Sequence, residues 1–345
     1  MSISDKLIRK NIAEFIPYSS ARDEYSGEDA VFLDANENPY DTGANRYPDP
    51  LQTKVKLKIS QIKNISFERI FLGNGSDESI DLLMRAFCEP GTDNIVSIKP
   101  TYGMYKVCAN INNVEFREVL LDRNYQINKE GILKIMGRNS KLLFLCSPNN
   151  PTSNSMNRND ILYLLERFNG LVIVDEAYID FSTEPSLLPQ LDNYQNLVIL
   201  QTFSKAWGMA GVRLGIAFAS RNIISILNRI KYPYNINILT QRFVLERLSK
   251  VDEKIRWVNM ILEQREILRV NLGNCTWVEN ILPSDSNFLM VRFRNANKVF
   301  NYLTRRKIIV RDRSKTPLCE GYLRITIGTA GENEALLKAL EEYTE

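Results

Sequence analysis

The sequence predicts an α/β fold: a large domain with an open, mainly parallel sheet between helices, followed by a smaller α+β domain. Three observations lead there. From about residue 70 to 220, short β-rich runs alternate with segments whose apolar residues recur near every 3.6 positions. LVIVD (171–175) has no polar alternation, as suits a strand covered on both faces. After Pro233 the character changes to a long amphipathic stretch and then mixed strands and helices.

In the first part, NIVSI (94–98), NVEFREV (113–119), KLLFLC (141–146), LVIVD, LVILQ (197–201) and LGIAFA (214–219) read as strands. Between them SDESIDLLMRAFC (76–88), TYGMYKVCANI (101–111) and RNDILYLLERF (158–168) read as helices. In the second part, 238–271 carries one or two helices. FLMVRF (288–293), KIIVRD (307–312) and YLRITIG (322–328) follow as strands, with helices near 296–305 and 331–344. Residues 1–40, containing FIPYSS and LDANENPY, read as an irregular arm.

With 345 residues, 44% of them hydrophobic and 25% charged, the chain has an ordinary globular composition and length for two domains. The net charge of +3, with both signs interspersed, argues against nucleic acid as a partner. MSISDKLIRKN lacks the apolar core of a signal peptide, and no apolar run reaches membrane-spanning length. Cys88, Cys108, Cys146, Cys275 and Cys319 form no CxxC pair, so reduced thiols and a cytoplasmic location are expected. The chain contains no histidine. That excludes His-based triads and HExxH zinc sites, and no metal is expected. Proton transfer must run through Lys, Asp, Glu, Tyr or Cys, or through a cofactor.

Four stretches carry candidate chemistry. In LVIVDEAY, Asp175 and Tyr178 follow a strand's carboxyl end, where ligands of open α/β sheets sit; a plain strand-ending acid is the simpler alternative. CSPNNPTS (146–153) turns on Pro148 and Pro151 and projects Asn150 at the same sheet edge, if it is more than a loop. LGNGSDESI (72–80) starts like a dinucleotide fingerprint but has Glu78 where a third glycine belongs. What survives is a glycine turn feeding a helix N-terminus, equally an anion site or an ordinary N-cap. In TFSKAWGMAGVRLG (202–215), Lys205 is a candidate amine nucleophile, and Thr202, Ser204 and Arg213 are candidate phosphate ligands. A solvated surface turn is the rival there. One cofactor unites the four, because an aldehyde, a phosphate and a pyridine ring need a lysine, a phosphate cradle and an acid. That cofactor is pyridoxal 5′-phosphate (PLP).

LDANENPY, RYPDP, GNGSDESIDLLMRAFCEPG, KPTYGMY, CSPNNPT, VDEAYIDF, TFSKAWGMAGVRLG, VRDRS and LRITIGT occur in that order. In this the chain resembles the class-II, fold-type I PLP-dependent aminotransferases from about residue 11 to its carboxyl end, and most closely their branch acting on histidinol phosphate. The resemblance implies a seven-stranded, mainly parallel sheet, an arm at 1–40, a large PLP-binding domain at 41–240 and a small domain at 241–345. It implies a Schiff base on Lys205, which also carries the catalytic proton, and Asp175 paired with the pyridine nitrogen. Asn150 and Tyr178 would bond the ring oxygen and Tyr102 would stack on the ring. Gly75, Ser76 and Asp77, with Thr202, Ser204 and Arg213, would hold the phosphate. Tyr47 of RYPDP would reach it from the other subunit of a homodimer. Arg311 and Arg324, with Tyr18 and Asn36, would bind substrate. The implied substrates are histidinol phosphate, glutamate and 2-oxoglutarate. An aromatic aminotransferase or threonine-phosphate decarboxylase on the same fold, or a non-catalytic effector-binding domain, are the alternatives. Ser153 departs from the family's usual glycine and raises a question of loop geometry if that position needs positive φ.

Overall fold

The computed structural model describes residues 3–17 and 31–344. At its centre is a seven-stranded sheet ordered β1-β7-β6-β5-β4-β2-β3. The strands are β1 Ile70–Asn74, β2 Asn94–Lys99, β3 Glu115–Leu120, β4 Ser140–Cys146, β5 Leu171–Asp175, β6 Leu197–Thr202 and β7 Leu214–Phe218. The β2–β3, β2–β4, β4–β5 and β5–β6 pairs are parallel. β7 runs antiparallel to both β6 and β1. Two reversals cancel, so the carboxyl end of β1 returns to the edge where β4, β5 and β6 end.

LVIVD is buried at every position. Val172 and Val174 enter one apolar cluster, Leu171 and Ile173 the other, as the two-residue period of a strand requires. Each such side chain contributes about 1.5–3 kcal/mol of burial, which holds the middle of the sheet rigid beneath the loops at its edge. Helices Ser76–Phe87, Met104–Ile111 and Arg158–Arg167 cover the faces as their spacing predicts. Asn157 caps the last of these, its side chain accepting from the amides of Asn159 and Asp160. The helix Thr53–Lys63 has no clear signal in its sequence. TKVKLKISQIK alternates Lys with apolar residues like a strand, yet Val55, Lys56 and Ile59 form its buried side.

A second, four-stranded sheet is ordered β10-β11-β9-β8, from β8 Val278–Ile281, β9 Phe288–Phe293, β10 Arg311–Asp312 and β11 Tyr322–Thr326. All its pairs are antiparallel. The amphipathic stretch from 238 resolves into two helices, Ile238–Arg247 and Val251–Gly273. Val251–Gly273, Ala296–Arg305 and Ala330–Glu341 pack against the small sheet. The expected strand 307–312 shrinks to two residues. Lys307 takes φ 62° and the Ile308 amide returns to the Leu303 carbonyl at 2.9 Å, so the first half of KIIVRD completes a helix C-terminus instead. Tyr178, Phe181, Ala206, Phe288, Met290 and Tyr322 share one apolar cluster, which joins the small sheet to the carboxyl edge of the large one. Among the described residues, no helix is long and apolar enough to cross a membrane.

Candidate active site

Strand register assembles the site. Cys146 is paired with Asp175, Asp175 with Leu200, Thr202 with Gly215, and Asn74 with Leu214. The loops leaving β1, β4, β5 and β6 therefore open on one spot. There a cavity of about 100 Å³ is lined by Gly75, Ser76, Asp77, Tyr102, Asn150, Asp175, Tyr178, Thr202, Ser204, Lys205 and Arg213, with Cys146 and Ala177. Eleven residues singled out from sequence thus meet around one space.

Glycines shape its phosphate-sized corner. Gly75 adopts φ 78°, and a Cβ there would lie 2.7 Å from Arg213 Nη2. At Gly215 a Cβ would come within 2.1 Å of the Ser76 amide, so only glycine lets β7 pass so close to this turn. The turn leads into helix Ser76–Phe87, whose first amides lack partners within the helix and whose Ser76 and Asp77 line the cavity, a generic anion-binding arrangement. Arg213 takes φ 55° and is exposed, its guanidinium 3.5 Å from an Asp77 oxygen. The Thr202 hydroxyl accepts from the Ser204 amide at 3.1 Å, tightening the turn that presents Lys205.

Lys205 is partly buried and takes no ion-pair partner among the described residues; its Nζ lies 5.4 Å from the centre of the Tyr178 ring. Burial lowers its pKa, and the nearby Arg324 cation adds to that. Asp175 is only 3% exposed. Burial raises its pKa to about 6, although hydrogen bonds from Tyr105 and the Ala177 amide oppose the shift. The Tyr105 hydroxyl donates to Asp175 Oδ2 at 2.7 Å. Tyr102 donates to Asp77 at 3.0 Å, which fixes its ring beside the cavity.

Substrate candidates arrive from the small sheet. Arg324 Nη1 donates to Asn150 Oδ1 at 2.6 Å, and its guanidinium lies 5.3 Å from the Phe288 ring centre. Arg311 faces Arg324 across the β10–β11 ladder. Asn36 is exposed with φ 54°. Tyr47 is half exposed, stacks on Tyr234 at 4.5 Å and is not among the residues lining this chain's cavity. Tyr18 lies outside the described residues.

Ser153 has φ 67°, so the residue replacing the family's glycine does occupy left-handed backbone. Its hydroxyl reaches the Pro283 carbonyl at 3.0 Å, while its own carbonyl accepts from the Asp285 amide at 2.8 Å. The Asn150 loop is thereby tied to the segment that leads into β9.

Three supporting residues escaped sequence reasoning. Tyr105 lies three positions after Tyr102 in PTYGMY, the spacing that puts both rings on one side of a helix start. Asn149 binds the Pro100 carbonyl and the hydroxyls of Thr101 and Thr152, which joins the two loops. Glu176 is buried and accepts from Ser186, the Leu187 amide and Gln201. Nothing local distinguishes Asn149 or Glu176 from ordinary loop polars.

The donor set fits PLP. A buried acid with a raised pKa calls for a protonated partner, the glycine turn leaves room for an anion, and a lysine with a lowered pKa faces both. Fold and site together define a group-transfer enzyme working through a lysine and a bound cofactor at the edge of an α/β sheet. Comparison with known proteins is specific about the family. The aminotransferase class I and II profile matches residues 27–340, and the chain belongs to that family. A histidinol-phosphate aminotransferase of Bacteroides fragilis is 54% identical over 344 residues, covering 99% of this chain and 100% of the relative. The histidinol-phosphate aminotransferase structure from Clostridium acetobutylicum has a TM-score of 0.79 at 23% identity, covering 87% of this chain and 90% of that one. The Sinorhizobium meliloti histidinol-phosphate aminotransferase, solved in complex with pyridoxal-5′-phosphate, has a TM-score of 0.79 at 21% identity over 86% of this chain and 82% of that one.

Proposed function

We propose that this enzyme is a PLP-dependent histidinol-phosphate aminotransferase, working by a ping-pong cycle. Glutamate leaves as 2-oxoglutarate after giving up its amino group, and imidazole-acetol phosphate then receives it to become histidinol phosphate, a step of histidine biosynthesis. The observation that carries the reading is the Arg324–Asn150 hydrogen bond at 2.6 Å, which puts an anion-binding cation at the rim of the Lys205 cavity. The near-full-length likeness to the Bacteroides relative supports this choice of substrate.

Bound PLP supplies an aldehyde that takes up the amino group and a ring that accepts the electrons freed at the substrate Cα. The chain supplies the rest. Lys205 Nζ attaches the cofactor at rest and moves the Cα proton, and its lowered pKa keeps more of the free amine in its basic form. Asp175 Oδ holds a proton on the pyridine nitrogen, braced by Tyr105. Asn150 and Tyr178 orient the ring through its oxygen, and Tyr102 covers its face. The amides of Gly75, Ser76 and Asp77, with Thr202, Ser204 and Arg213, hold the phosphate. Arg311 and Arg324 bind the substrate's anionic groups, and Asn36 and Tyr18 help line the substrate pocket.

The site is completed by a second copy, whose Tyr47 reaches the cofactor phosphate. Exposed Val31, Leu33, Tyr40, Tyr47, Tyr232 and Leu239 support a homodimer. The cysteines are free, in keeping with a cytoplasmic location. Boundaries near 41 and 241 separate arm, large domain and small domain. Adding histidinol phosphate to the PLP-loaded protein should convert its visible absorbance to that of the amine form. No change with that substrate, but a change with phenylalanine or phosphothreonine, would replace the proposed substrate.

A further inference from the structure

Strand β10 is two residues long, but its ladder runs further: the Arg313 amide donates to the Tyr322 carbonyl at 3.0 Å. With Arg311 opposite Arg324, this register sets Arg313 opposite Tyr322. Residues two apart on a strand share a face. Arg311, Arg313, Arg324 and Tyr322 therefore lie on one side of the small sheet. Tyr322 identifies that side, because it packs with Tyr178 and Ala206, neighbours of the Lys205 cavity.

The electrostatics of Arg313 agree. Its pKa is lowered by burial first, then by the cations of Arg324 and Arg311, while Tyr178 is close enough to oppose the shift. Its Nε is buried and has no hydrogen-bond partner among the described residues. Asp312, the nearest acid in sequence, accepts from the Ser314 amide instead. Three guanidiniums thus share one face with no carboxylate paired to them among the described residues. Like charges so placed repel, and a buried charged donor left unmet is costly. An anion resolves both.

We propose that Arg313 is the third arm of a substrate clamp with Arg311 and Arg324, matched to the dianion of a phosphate monoester rather than to a carboxylate. The proposal rests on the transamination of a phosphate-bearing amine argued above. A carboxylate offers one charge and two oxygens, which one or two guanidinium forks satisfy. A phosphate monoester carries nearly two charges at neutral pH and three free oxygens, and so employs a third donor. Arg313 therefore sets the preference between the two amino substrates that share one site.

The test compares PLP-loaded wild type with Arg313→Gln and Arg313→Lys in separate half-reactions, one with histidinol phosphate and one with glutamate. The Gln variant should lose about 30- to 100-fold in kcat/KM for histidinol phosphate, mostly through KM. That loss should exceed the loss for glutamate at least tenfold, with Lys restoring part of it. Inorganic phosphate, used as a competitor of the glutamate half-reaction, should bind wild type more tightly as it loses its second proton, and Arg313→Gln should flatten that pH dependence. Equal losses for both substrates, or an unchanged phosphate profile, would overturn the clamp. A wild type inert to histidinol phosphate would instead refute the proposed function, and the phosphate competition would still judge Arg313.

Discussion

The two edges that meet at this site are built on opposite principles. At the large sheet, the charged groups around Lys205 have internal answers: Asp175 receives Tyr105 and the Ala177 amide, Glu176 receives three donors, and Arg213 sits near Asp77. At the small sheet, Arg311, Arg313 and Arg324 share a face with no acid answering them among the described residues, where Arg324 alone of the three has a side-chain acceptor, Asn150. A network satisfied from within stays fixed whatever is bound, which suits a resident cofactor. An unanswered cluster gains most when an anion arrives, which suits a substrate that comes and goes. On the proposed roles, the chemistry sits on the rigid edge and the choice of substrate on the other.

Lys205→Ala should have the largest effect, lowering transamination about 10^4-fold with every amino donor. Borohydride reduction of the loaded wild type followed by peptide mapping should find the cofactor on Lys205. Its appearance on another lysine would remove the large sheet's claim to the chemistry. Next, Arg324→Ala should cost about 10²–10³-fold in kcat/KM with both substrates, since it removes an anion ligand and leaves Asn150 without its donor. A loss confined to kcat with unchanged KM would mean that the small sheet does more than bind.

Asp175 gives a smaller effect with a definite sign. An unfolded aspartate titrates near 3.8, and this one near 6 in the cofactor-free fold. Between those values the native state keeps a proton that the unfolded state loses. Stability of the cofactor-free protein therefore falls as pH rises through that window, by roughly 2–3 kcal/mol in all. Asp175→Asn removes the penalty, so its cofactor-free form should melt higher than wild type near neutral pH while transamination is lost. Matching melting curves at every pH would show that burial does not strain this acid.

The smallest effect tests the tie between the two edges. Ser153→Ala keeps a side chain at φ 67° but loses the bond to Pro283, and should cost about 1–2 kcal/mol in thermal unfolding. Ser153→Gly loses the same bond but relieves the left-handed strain, so it should fall closer to wild type. If Ala is as stable as Gly, the hydroxyl is not what offsets the strain.

The inner strands β2, β4, β5, β6 and β7 were legible because they are short apolar runs covered on both faces, and LVIVD matches β5 residue for residue. Thr53–Lys63 was not, because its Lys–apolar alternation imitates a strand and only packing selects the helix. KIIVRD misled for the converse reason: its apolar run suits a strand, but the preceding helix takes its first residues for a C-terminal turn. Within the site, Lys205 and Asn150 stand in turns whose composition announces them, and Asp175 ends an apolar strand. Tyr105 and Arg313 do not, since a tyrosine in a helix and an arginine in a loop have many ordinary uses.

By itself the sequence determined which chemistry is available. Without histidine, a lysine, an acid at a strand end and a glycine turn make PLP chemistry the consistent use of these residues, and the order of the motifs adds amino transfer by resemblance. Only the tertiary structure decided which groups touch. Arg324 and Asn150 stand 174 positions apart, and their contact depends on two sheets docking through Tyr178, Phe288 and Tyr322. Local composition cannot encode that distance, because it is the sum of many packing contacts. The same docking turns the face that carries Arg313 and Tyr322 toward the large sheet, where the anion is proposed to bind.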